Sequence, residues 1–256
     1  MISPLRCPYK FKSINSLKEI ITKGSIVGTY LFFDGNIELG LCSPERFVIA
    51  HTNNYPISEF WACARFDPAR LTQIIEHLSR IQEKKIMYAM QESWASYKDP
   101  FIRSAVFFLL NRYSSQGLVS SGEIDFERYN PVCLRRLKPL KNLQNFHLTR
   151  TKSENFVDDI ESSATQQNVD YVVVPVGKYN YNLFEDGKSM SHEGTKIDHT
   201  EIEKYFKQQK HNTILIYKKH PELFKVYENS NITMIDARGN TTENTSLCEE
   251  MIIANF

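Results

Sequence analysis

The sequence predicts an α/β fold, a doubly wound and mostly parallel sheet interrupted by a helical block. Three observations predict it. Short β-branched or aromatic runs alternate with helical patterns in both halves of the chain. The run Tyr171-Val172-Val173-Val174-Pro175 is apolar without a break, as in a strand buried on both faces. Between Ile57 and Tyr113 the apolar period changes from two to about 3.6, the mark of helices. A chain of 256 residues is long enough for one large domain or for a core with an insertion. The predicted division is a core of residues 1–56 and 142–256 around a helical insertion at 57–141.

Taken in order, residues 2–12 are irregular, because Pro4 and Pro8 oppose helix. Ser16 and Glu19 read as a capping box opening a short helix, with Gly24 at its end. Gly28–Phe33 and Arg46–His51 read as buried strands, and Asp34-Gly35-Asn36 as the turn between them. Asp67-Pro68 and Asp99-Pro100 each pair an N-cap with proline in the first turn. Behind the first follows a stripe of Leu71, Ile74, Ile75, Leu78 and Ile81; behind the second, Phe101, Ala105, Phe108 and Leu109 face inward. Residues 114–140 read as loop. Strands are expected at Phe146–Thr149, Tyr171–Pro175, Thr213–Tyr217, Ile232–Ile235 and Glu250–Asn255. Helices are expected at Glu154–Ser162, after a Thr200 cap with Glu203 at its third position, and at Pro221–Tyr227.

Composition excludes several classes. An apolar content of 41% with 12% aromatics excludes general disorder. The net charge of +1 gives no global field for nucleic acid or an anionic membrane, so any polyanion contact must be a local patch. Cys7, Cys42, Cys63, Cys133 and Cys248 are odd in number and far apart, which argues against a disulfide framework or a zinc site. No metal is expected. The seven histidines show no HxH or HExxH spacing. No run approaches a membrane span and the first residues lack an apolar leader core, so a soluble intracellular protein, or one packaged into a virion, is expected. The basic residues Arg128, Arg135, Arg136, Lys138 and Lys141 read equally as a solvated face and as a nucleic-acid contact.

The stretch Phe107–Gly122, FFLLNRYSSQGLVSSG, closes an apolar helix and opens into a loop of Ser, Gly and Gln. It resembles the FFxLNRxSFSGxxxSGG segment of Dam-type N6-adenine DNA methyltransferases, especially their phage and virus-like branch. The element order is also similar: a cofactor half, a helical target-recognition insertion, then a catalytic half. The resemblance implies a Rossmann-like methyltransferase sheet. It also makes Asn111, Arg112, Ser114 and Ser115 nucleic-acid-binding candidates, beside the basic Arg128, Arg135 and Arg136.

Four sites that the resemblance makes functional have lost their working residues. Ser3-Pro4-Leu5-Arg6 matches the opening of the family's SPLRYPGGK, but Tyr9 and Lys10 replace its glycines and Phe11 its lysine. In the segment similar to EPFFGGGSV, Tyr30 replaces the acid, Asp34 and Asn36 replace two glycines, and Gly35 remains. His51 stands where a carboxylate would hold the cofactor ribose. At the strand end similar to DPPY the chain reads Val174-Pro175-Val176-Gly177. Valine cannot accept from an adenine amino group and glycine cannot stack on a flipped base. Tyr179 and Tyr181 are the nearest rings, and with Phe184 they equally suit a protein interface over an altered ligand cleft.

The expectation is therefore a methyltransferase fold retained without catalysis. Such a pseudoenzyme serves as a binding or structural module, a partner subunit or an assembly component, with DNA or RNA as a further partner and no cofactor. The alternative is an active, divergent adenine N6-methyltransferase that uses S-adenosylmethionine.

Overall fold

The computed structural model of the chain describes residues 1–6, 10–30, 34–52, 54–114, 117, 119–120, 122–150, 156–179 and 198–256. Among these, seven strands form one sheet: β1 (Ile26–Thr29), β2 (Phe47–Thr52), β3 (Phe146–Arg150), β4 (Tyr171–Gly177), β5 (Asn212–Lys218), β6 (Asn231–Asp236) and β7 (Cys248–Ala254). Their order is β3-β2-β1-β4-β5-β7-β6. The pairs from β3 through to β5 are parallel, and β7 runs antiparallel to both β5 and β6. This is the doubly wound order 3-2-1-4-5-6 with one reversed strand placed between the last two. The α/β, Rossmann-like expectation is met.

Side chains alternate across the sheet, so each strand feeds two cores. On β5, Ile214 and Ile216 enter one and Leu215 and Tyr217 the other. The first core lies under helices α1 (Ile14–Ile20), α2 (Asn36–Leu41), α3 (Tyr55–Phe66), α4 (Pro68–Leu78), α5 (Lys84–Ser93) and α6 (Pro100–Tyr113). The second lies under α7 (Phe156–Gln167), α8 (His199–Gln208) and α9 (Pro221–Val226).

The helical block shares the first core with the sheet. Trp61 on α3 packs on Phe146 of β3 with centroids 5.6 Å apart, and Phe60 meets Phe107 and Phe108 of α6 at 5.8 and 5.9 Å. Helix α6 is buried at every residue from Ser104 to Tyr113, which explains why its apolar pattern runs all round instead of forming a stripe. Its cap is Asp99, whose Oδ1 accepts from Phe101 N at 2.7 Å and Ile102 N at 3.1 Å. Asp67 caps α4 in the same way, accepting from Arg70 N at 3.0 Å.

Several local expectations are corrected. The Ser16–Glu19 capping box does not form: α1 starts three residues earlier, its N-cap is Ser13, and Ser16 is buried inside the helix. The two amides just ahead of that helix are held by the buried carboxylate of Glu250, which accepts from Lys12 N at 2.8 Å and Ser13 N at 3.0 Å. The Thr200 cap is displaced likewise, since Asp198 Oδ1 accepts from Thr200 N at 2.8 Å and opens α8 first. Strand β1 ends at Thr29 instead of reaching Phe33; residues 31–33 lie outside the described segments. Asp34–Asn36 is not a plain turn between strands, because Gly35, at φ 84°, delivers the chain into α2. Residues 131–140, within the stretch read as loop, wind together with 141–142 as consecutive 3₁₀ turns.

Candidate functional site

In a doubly wound sheet, ligands bind where the strand order reverses, beyond the carboxyl ends of the strands. Here that point lies between β1 and β4, whose ends are tied by Tyr30 N donating to Val173 O at 3.1 Å. The described groups around it are the β1–α2 turn, the end of β2, the end of β4 and, bonded to the turn, Ser3 of the N-terminal segment.

The turn is held by its own polar groups. Asp34 Oδ1 accepts from Asn36 N at 3.0 Å and its Oδ2 accepts from the Asn36 amide. Ser3 reaches over the turn, its hydroxyl donating to Asp34 O and its N–H to Asn36 Oδ1 at 2.9 Å. Burial pushes the Asp34 carboxyl up to about 6, against the bonds from Asn36 that favour its charge. Glu38, in the first turn of α2, is 2% exposed and is pushed up to about 8, chiefly by burial and further by the Asp34 charge. Its Oε1 has no hydrogen-bond partner among the described residues. Sequence reading missed Glu38; the signal was an acid flanked by Ile37 and Leu39 in an otherwise apolar segment.

Tyr30 and His51 are brought together. Tyr30, just past β1, and His51, near the end of β2, stack with ring centroids 4.7 Å apart and planes 8° from parallel. Exposures of 1% and 2% place both rings out of solvent. The Tyr30 hydroxyl donates to Ile160 O on α7 at 3.3 Å, and burial raises its pKa above the ordinary phenol value. Thr149 on β3 donates to Ala50 O at 3.2 Å, which leaves His51 Nδ1 to donate to the Thr149 hydroxyl at 2.6 Å. The two positions therefore form one packed aromatic pair.

At the end of β4, Val174, Pro175, Val176 and Gly177 are all buried, and the register shifts between Pro175 and Gly177. Val174 and Val176 point into the second core. Just beyond, Tyr179 lies 5.0 Å from His199, 4.9 Å from His220 and 6.2 Å from Tyr217, centroid to centroid. Burial holds the His199 imidazole below its ordinary pKa, opposed by Asp198. Neither histidine was singled out from sequence, because 199 and 220 meet only through the β4–β5 neighbourhood. Tyr181 and Phe184 lie outside the described residues, as do Tyr9, Ser115 and Cys7.

The remaining candidates divide into two sets. Asn111, Arg112 and Ser114 are buried, at 4%, 8% and 3% exposure. Asn111 grips the N-terminal segment: its Oδ1 accepts from Arg6 N at 2.7 Å, and its Nδ2 donates to Arg6 O at 2.9 Å and Gly117 O at 2.8 Å. Gly117, at φ 82°, has no room for a side chain, since a Cβ would lie 2.6 Å from Arg6 O. Arg112 lies over the Phe108 ring at 5.8 Å. Arg6 donates to Ser114 O at 3.2 Å and to Arg128 O. Arg136 donates to Ser3 O at 3.0 Å. Arg128, ion-paired with Asp125 at 2.9 Å, and Arg135 are exposed. The two stretches that carry the family resemblance, 3–6 and 107–117, are thus bonded to each other. Lys10 is exposed, and its carbonyl accepts from Lys218 Nζ at 3.2 Å.

Among the described residues, no three His, Cys, Asp or Glu side chains gather to hold a metal, and no helix is long and apolar enough to cross a membrane. Cys42, Cys63, Cys133 and Cys248 are free thiols. No known family model matches the chain, and no curated protein matches it significantly.

Proposed function

We propose that this chain is a methyltransferase-like protein without catalytic activity, which works by binding. It serves as a partner subunit or as a component of an intracellular or virion assembly, with DNA or RNA as a further class of partner. The doubly wound, mostly parallel sheet is compatible with this reading, since it supplies the Rossmann-like core that the reading requires. The bond between Asn111 and Arg6 supports it too, since it gives both retained motifs a structural reason to persist.

The observation that carries the reading is the Tyr30–His51 stack. An S-adenosyl group does not fit these residues. The ribose would need a carboxylate after β2, and an imidazole sealed against Tyr30 and already bonded to Thr149 supplies none. At the end of β4 buried valines offer no acceptor to an adenine amino group.

The test is a thermal-shift titration with S-adenosylmethionine and S-adenosylhomocysteine, followed by incubation of labelled S-adenosylmethionine with unmethylated duplex DNA. No shift and no transferred label are expected. A ligand at about 100 times its Kd stabilises a fold by about 2.7 kcal/mol, so a real cofactor would be visible and would favour an active adenine methyltransferase instead. Nucleic-acid binding is tested separately, as an affinity that falls steeply with salt.

A further inference from the structure

The segment Leu134–Leu143, LRRLKPLKNL, has a period of three. In 3₁₀ turns every third side chain lies in one row. Leu134, Leu137 and Leu140 form the inner row and are buried, at 6%, 0% and 0% exposure. Their bonds follow the same step, with Leu137 N donating to Leu134 O and Leu140 N to Leu137 O, both at 3.0 Å. The next row is Arg135, Lys138 and Lys141, all exposed. None of the three has a carboxylate within ion-pair distance among the described residues.

This row forms one wall of a groove of about 760 Å³, whose opposite wall is α4. The α4 wall offers Ala69, Thr72, Gln73 and Glu76, and Val132, 55% exposed, adds apolar surface. The groove is in the size range of organic ligand sites, yet it is open and asymmetric in charge. Three unpaired cations in a row favour an anionic occupant. The acids Asp67 and Glu76 on the facing wall oppose one that is negative on every side, such as a polynucleotide.

We propose that this groove docks an extended segment of a partner protein carrying an acidic residue at every second position. The spacing fits. Cations three residues apart on a 3₁₀ helix are separated by about 6 Å along its axis. Alternate side chains of an extended peptide are separated by about 6.6 Å. Acidic side chains meet Arg135, Lys138 and Lys141 in register, while the intervening ones, small or polar, face Ala69, Thr72 and Gln73. The inference deepens the binding-module reading by naming the partner's chemistry, and it does not depend on the cofactor result.

The experiment is fluorescence anisotropy with the full chain and three labelled probes: a heptapeptide alternating glutamate with serine, its lysine–serine counterpart, and a single-stranded oligothymidylate. The glutamate peptide is expected to bind, more weakly as salt rises, and the lysine peptide not to bind. Lys138→Glu and Lys141→Glu each weaken it about tenfold, as reversal of a contacting charge does. Ala69→Trp fills the groove and abolishes binding, whereas Lys23→Glu, on another surface, leaves it unchanged. All four positions are exposed, and melting curves confirm that the variants fold. Three results overturn the proposal: no binding of the glutamate peptide to the folded wild type at millimolar concentration, equal binding by the groove variants, or preference for the oligothymidylate. The last would make this a nucleic-acid surface. A thermal shift with S-adenosylmethionine would sink the inactive-enzyme reading and leave the peptide result as it stands.

Discussion

Asn111 holds Arg6 by both of its backbone groups, accepting the N–H at 2.7 Å and donating to the carbonyl at 2.9 Å. An amide side chain is the one type that offers an acceptor and a donor side by side, as a neighbouring strand does. It thereby fastens the first residues of the chain to the end of its most buried helix.

Asn111→Asp keeps the size and one acceptor but removes both donated bonds and buries a charge. Urea unfolding should show a loss of about 2–4 kcal/mol, and Asn111→Ala about 1–3 kcal/mol. A change within about 0.5 kcal/mol, as for an ordinary surface position, would mean that the clamp contributes nothing.

The acids of the β1–α2 turn give stability an unusual dependence on pH. An acid whose pKa is higher folded than unfolded binds more protons in the folded state, so stability falls as pH rises between the two values. For Glu38 that window runs from its ordinary 4.5 to about 8, and for Asp34 from 3.8 to about 6. Melting temperatures should therefore decline from mildly acidic to mildly alkaline pH. Glu38→Gln, which carries no charge, should flatten the decline above pH ~6. An unchanged profile in that variant would assign the dependence to other groups.

The Tyr30–His51 pair can be separated into its packing and its polar parts. Tyr30→Phe keeps the ring in the stack, removes the hydroxyl's bonds, that to Ile160 O among them, and should cost about 1 kcal/mol. His51→Ala removes the ring from the stack and the bond to Thr149, and about 2–4 kcal/mol is expected. Denaturant midpoints check both values. Equal effects of the two substitutions would contradict a stacked pair.

Glu250 is fully buried and ion-paired with Lys218 Nζ at 2.5 Å, while also receiving the amides of Lys12 and Ser13. Glu250→Ala strands those donors and should cost about 3–5 kcal/mol. Hydrogen exchange should quicken first at residues 12–17, where α1 begins. Quickening confined to β7 would show that the carboxylate serves its own strand and not the helix.

Much of the fold was legible because its signals are local. YVVVP announced a central strand, and Asp67-Pro68 and Asp99-Pro100 marked helix starts that the structure keeps. Where partners are distant, the sequence misled. Ser16 and Glu19 have the spacing of a cap, but the helix starts before them, and the amide of its N-cap Ser13 is held by a residue 237 positions away. Helix α2 was hidden because Ile37, Leu39 and Leu41 alternate as a strand would. The 3₁₀ segment did carry its signal, in leucines at every third position, a period that neither helix nor strand templates count. At the candidate site, the replacement of single residues was readable. That Tyr30 and His51 face each other was not, because adjacency across β1 and β2 is a property of the sheet.

The place of β7 has a consequence for synthesis. It is translated after every other strand described, yet it sits inside the sheet, with β5 on one side and β6 on the other. Until residues 248–254 have emerged, β5 presents an apolar open edge and β6 has no strand to pair with. Such edges are where nascent chains associate wrongly. The chain is therefore open to mispairing in the moments before β7 arrives.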